Sequence, residues 1–129
     1  MPSLFDEERF QLVEKVAGKI LITFKNGSMG FSKQLISKLD YPHYVRVFID
    51  KQGKQLGIQV CDKDSDGATR FVPLTKNKVD SVRWHNPTFI KTIKGLVEPS
   101  IMAGNFSVEG QYLDEENAVL FDMANAQPI

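Results

Sequence analysis

The chain predicts an α+β fold, mainly strand, with two βαββ units packed as one pseudo-symmetric domain. Three observations carry this reading. Apolar and polar residues alternate with period 2 in several separate stretches. Two short apolar stripes at helical spacing each end near a proline, Pro42 and Pro99. The same order of strand, turn, helix and hairpin then returns after roughly 60 residues, as a pattern without sequence identity.

The first unit is read from residues 19–61. Ile20, Ile22 and Phe24 alternate with Leu21, Thr23 and Lys25, which predicts a strand. Asn26-Gly27 and Gly30 break it, because these residues take positive φ at little cost. Ser32 is placed as an N-cap, and Phe31, Leu35, Ile36 and Leu39 mark one helical face, so a helix is expected over 32–39. About two turns cannot stand alone, so this helix must pack on the sheet. Val45, Val47 and Ile49 then alternate with Tyr44, Arg46 and Phe48. A turn over 50–54 leads back through Leu56, Ile58 and Val60, completing a hairpin.

Residues 1–18 form an N-terminal extension in this reading. Residues 3–8 suit a helical first turn, and 9–16 read as helix or strand, with strand favoured. A connector, 62–78, contains Asp62-Lys-Asp-Ser-Asp-Gly67, which copies the opening of a calcium loop. Position 12 of such a loop needs a bidentate Glu and here is Pro73, so a polar connection is the preferred reading. A short extended piece at 71–74 follows.

The second unit is read from 79–125. Residues 79–84 form a strand, His85-Asn86-Pro87 a capping turn, and 88–97 a helix with Phe89, Ile90, Ile93, Leu96 and Val97 on its apolar side. Pro99 is expected to end that helix. Residues 105–112 and 118–123 make a second hairpin around Asp114-Glu-Glu-Asn117.

Composition bounds the function. The chain has 129 residues, 42% of them hydrophobic and 25% charged, which suits one domain of ordinary globular type. No apolar run approaches the ~20 residues of a membrane span, and the first residues lack a basic region followed by an apolar one. The single Cys61 excludes an internal disulfide and a cysteine-based zinc site. A cytoplasmic protein that does not engage membranes is expected. The zero formal charge hides an asymmetry: residues 15–60 hold eight Lys or Arg against two acids, and 96–129 hold six acids and no cation. A basic middle can mark an anion-binding face. The preferred reading is that the parts neutralise one another or that the lysines, many of them in turns, are solvated.

Gly27, Phe31, Gln34, Leu35 and Leu39 fall, without a gap, at the Gly, Ile, Glu and two Leu positions of the AbrB/MazE-like swapped-hairpin domain. The first unit therefore resembles that family of bacterial transcription regulators and antitoxins over about a third of the chain. Two units in one chain resemble the tandem arrangement of MraZ proteins. The resemblance implies DNA binding, but this chain departs from the family where DNA is read. Ser28 stands at the turn Arg, Ser32 at the Pro, and Ile36 and Ser37 at the helix arginines. Lys25, Lys33, Lys38 and Arg46 are the cations that must replace them. As lysines are mostly point charges, contact with DNA would be weak in sequence preference.

Other chemistry finds little support. His43 and His85 sit in turns, and Cys61 ends a strand without a predicted base, so no catalytic residue, cofactor or metal ligand is assigned. Tyr44, Arg46 and Phe48 share one strand face, a mixture of rings and cation that single-strand binders use. A core role for Tyr44 and Phe48 is preferred, since a packed βαββ pair buries both sheet faces. The expected function is a non-enzymatic binding module like the AbrB-type regulators. The alternative is an interaction or assembly protein of a phage or mobile element, with a protein partner or further copies of itself and no nucleic acid.

Overall fold

The computed structural model describes residues 19–76 and 78–129. The expectations for residues 3–16 lie outside the described part. The described chain is mainly β, a curled antiparallel sheet with few helices.

Its first turn sets the pattern. Asn26 and Gly27 take φ of 52° and 77°, the left-handed values that a two-residue hairpin loop requires. They join β1 (Leu21–Lys25) to β2 (Ser28–Phe31), with Lys25 opposite Ser28. Here the structure differs from the sequence reading, which took 26–30 as a turn and Phe31 as part of the helical stripe. The four residues of β2 are all buried, and Ser28 is accommodated because its hydroxyl donates to Lys25 O and accepts from Arg83 Nη1.

Ser32 then ends the hairpin and starts α1 (Lys33–Lys38). Its Oγ accepts from the N–H groups of Leu35 and Leu21 and donates to Lys19 O. One hydroxyl thus caps the helix and ties it to the start of β1. Leu35 and Ile36 enter the core from this short helix. Next come β3 (Tyr44–Asp50) and β4 (Gln55–Val60), paired from Val45 with Val60 to Asp50 with Gln55.

Within the connector, 62–68 folds as tight turns and β5 (Thr69–Arg70) pairs with β3. Phe71 and Val72 follow as buried core residues. The second helix is shorter than the apolar stripe suggests. After β6 (Val82–Trp84), α2 runs Pro87–Lys94 under the Asn86 cap. Pro99 does not end that helix. It opens a separate one, α3 (Pro99–Met102), at the first helical position, where its missing N–H costs nothing. The chain closes with β7 (Phe106–Leu113), β8 (Ala118–Asp122), a 3-10 turn at 123–125 and β9 (Gln127–Pro128).

The sheet runs β5-β3-β4-β8-β7-β1-β2-β6, with β9 against β7. Strands of the two halves therefore interleave: β1 pairs with β7, β4 with β8 and β2 with β6, while β5 of the connector adds to β3. The curl puts Ile22, Phe24, Val45, Leu56, Ile58, Phe106, Val108, Val119 and Phe121 inside, with Ile90 and Ile93 of α2. Phe24 stacks on Phe106 at 4.7 Å, and Phe31 meets Trp84 and Phe71 edge-on. No helix of the described residues is long and apolar enough to cross a membrane.

Candidate binding face

Alternation along β3, β4, β7 and β8 sends one set of side chains into the core and the other outward. The outward set forms cross-strand rows. Phe48, Gly57, Leu120 and Gln111 make one; Arg46, Gln59, Ala118 and Leu113 make the next. On the far side of the first lie Asp50, Gln55 and Asp122. Both larger helices put their apolar residues into the core on the other face, so no helix of the described residues lies over this one. Phe48 is 51% exposed.

That exposure corrects the expectation that Phe48 is a core residue, while Tyr44 is half-buried and outside the core cluster. The alternation was legible, but the helices cover only the inner face. Arg46 lies over the Phe48 ring at 5.1 Å from its centre. Its Nε donates to Gln59 Oε1 at 3.0 Å, and Gln59 Nε2 donates in turn to Glu116 O at 2.9 Å. A surface arginine is thereby held in one place by a ring and an amide. The face is hollowed by a groove of about 470 Å³, lined by Arg46, Phe48, Gly57, Gln59, Glu116 and Leu120 among others.

The electrostatics of this face are acidic. Arg46, Lys19 and Arg70, which stands opposite Tyr44, face four carboxylates, those of Asp50, Glu109, Glu116 and Asp122. Asp50, Glu109 and Asp122 gather at the end of the face away from Arg70. Lys19 is engaged with Glu109 at 3.6 Å. Asp50 and Asp122 each spend one oxygen on a turn, accepting from Gly53 N and Ala124 N. Neither meets a cation within 4 Å among the described residues.

The four cations singled out in the sequence do not converge. Arg46 belongs to the outer face of β3. Lys33 reaches Asp80 at 3.7 Å, and Lys38 lies over the Tyr112 ring at 4.9 Å. Tyr112 pairs with Val119 on the inward-facing side of β7, the opposite side from Arg46. Lys25 ends β1, while Ser32 binds its first residue, so Lys25 and Lys33 are about 13 Å apart along the strand.

The remaining candidates are placed as follows. His43 bonds Val72 O through Nδ1 at 3.1 Å, and with the free, half-buried Cys61 it lines a cleft near Asp62 and Asp64. His85 is exposed at the turn before α2. In the 62–67 loop, Asp62 N donates to Ser65 Oγ and Gly67 has φ of 77°, which folds the acids into turns. No cluster of three metal-ligating side chains occurs among the described residues. Phe48 is the site residue that the sequence reading set aside; its shared face with Arg46 was the available signal.

Comparison with protein-family models, with curated proteins and with solved structures gave no match in any of the three.

Proposed function

We propose that this chain is a non-enzymatic interaction module that holds a protein partner on the open outer face of β3, β4, β8 and β7. The observation that carries the reading is Phe48, a large ring left 51% exposed on a sheet face with a fixed arginine stacked on it. Aromatic and arginine side chains are the usual anchors of protein interfaces. The carboxylate rim speaks for a protein rather than a phosphate backbone. The DNA-binding reading, which the AbrB-like resemblance implies, has weaker support, because Lys25, Lys33, Lys38 and Arg46 point to separate places. A cytoplasmic setting goes with this proposal and suits the free thiol of Cys61.

The scaffold of this reading is a pair of units related by a pseudo-twofold axis, as in tandem swapped-hairpin proteins. What supports it is the second hairpin. A shift of 63 positions carries β3 onto 107–113 and β4 onto 118–123. It also carries Lys54 onto Asn117, both at positive φ in their turns. Buried Val45, Leu56 and Ile58 fall on buried Val108, Val119 and Phe121.

The test is photo-crosslinking in the native host from position 48, with position 94 in α2 as control, beside anisotropy titrations with duplex and single-stranded DNA at low salt. A defined protein adduct from position 48 alone, without DNA binding, is expected. DNA binding lost on substitution of Lys33 and Lys38, with no adduct from position 48, would replace this reading.

A further inference from the structure

The open face has a built feature at its centre. Gly57 lies between Phe48 and Leu120 in one cross-strand row. With strands about 4.8 Å apart, the two walls stand roughly 10 Å apart over a bare floor. The nearest atom to a side chain placed on Gly57 is Phe48 Cβ at 3.8 Å, so the space is vacant and walled. We propose that this notch receives a lysine side chain from a segment of the protein partner; the assignment rests on the reading that the outer face is the partner site.

Three features identify the occupant. The walls are apolar, a ring and a leucine, which suits the aliphatic stem of a long side chain. One end of the notch is closed by the Arg46–Gln59 pair, which repels a cation and sends it the other way. At that other end lies the row of Asp50, Gln55 and Asp122, two residues or about 7 Å further along the strands. Its two carboxylates flank an amide and have no cation among the described residues. A stem lying over Gly57 therefore delivers an ammonium between two open acceptors, next to the Phe48 ring.

The size of the face sets the kind of partner. Four strands at about 4.8 Å spacing and some 20 Å long give roughly 400 Å², half of the ~800 Å² per partner in a standard interface. This is enough for a short segment and too little for a stable pairing with a second copy. The acidic rim favours a segment with basic or polar residues around its lysine.

The test uses two capped pentapeptides as probes, with lysine or glutamate at the centre and leucine on either side. Each is titrated into the ¹⁵N-labelled full chain. The lysine peptide should shift the amides of Phe48, Gln55, Gly57, Leu120 and Asp122, and the glutamate peptide should not. Gly57→Val should abolish these shifts while the protein melts no lower than the parent, since Val suits a strand and its φ is unstrained. The double variant D50N/D122N keeps both turn acceptors and should weaken the lysine peptide by about fivefold. Should Gly57→Val unfold the chain, Gly57→Ala and the Asp variants carry the same decision. Equal shifts from both peptides on this face, unaffected by Gly57→Val, overturn the notch and leave the face reading standing. Absence of shifts from the lysine peptide also overturns the notch, while crosslinking from position 48 decides the face by itself.

Discussion

Gly110 stands opposite Phe121 in the β7–β8 ladder, and the Phe121 ring fills the space that a side chain on Gly110 would need. A Cβ there would fall 2.5 Å from both Phe121 Cε1 and Val119 Cγ1, far inside any real contact. Both neighbours are fully buried and have nowhere to go. Gly110→Ala should therefore cost about 1–3 kcal/mol, and Gly110→Val more. Urea unfolding of the two variants checks this. Stability equal to the parent would mean that β7 and β8 are further apart here than described.

Phe48 and Phe24 should behave as opposites. Phe24 is buried against Phe106, so Phe24→Ala should cost about 3–5 kcal/mol. Phe48 is half in solvent, so Phe48→Ser should stay within about 0.5 kcal/mol. Thermal melts of both variants make the comparison. A large loss of stability at Phe48→Ser would mean that the outer face is covered in the protein.

The two helix caps should differ in weight. Asn86 Oδ1 accepts one N–H, that of Phe89, so Asn86→Ala should cost about 1 kcal/mol. Ser32 Oγ serves α1, Leu21 N and Lys19 O together, so Ser32→Ala should reach about 2 kcal/mol or beyond. Denaturant midpoints for the pair decide it. Equal losses would show that the link from Ser32 to β1 adds nothing.

What was legible in the sequence is what local chemistry decides. Alternation over 44–49 and 56–60 gave β3 and β4, and Ser32 and the His85-Asn86-Pro87 turn marked both helix starts because a cap is a local hydrogen bond. Strand β2 was missed although Asn26-Gly27 is the typical two-residue hairpin loop. Gly30 made Ser28–Gly30 read as a turn, and the spacing of Phe31 to Leu35 and Leu39 drew it into the helical stripe. Pro99 was read as a stop because proline cannot continue a helix, yet the same missing N–H lets it begin one. The exposure of Phe48 could not be read, since period 2 tells which residues share a face and not whether a helix lies over it. In the same way, charge counts showed a basic middle without showing that its cations point apart.

That divergence gives the last prediction. A helix turns about 100° per residue, so Lys33 and Lys38 of α1 lie about 140° apart around its axis. Their partners agree, Asp80 for the first and the Tyr112 ring for the second. A single stretch of phosphate backbone cannot meet both, and Lys25 and Arg46 lie elsewhere again. Each phosphate contact adds ~0.9 to the slope of log K against log salt, so one cation at a time gives a slope no steeper than about −1. Duplex DNA should therefore show at most weak attachment at low salt, alike for all sequences. The double variant of Lys33→Ala and Lys38→Ala should change it little, as measured by anisotropy over a salt series. A slope near −3 that the double variant flattens by two contacts would show that these lysines gather on DNA after all, and would return the nucleic-acid reading to first place.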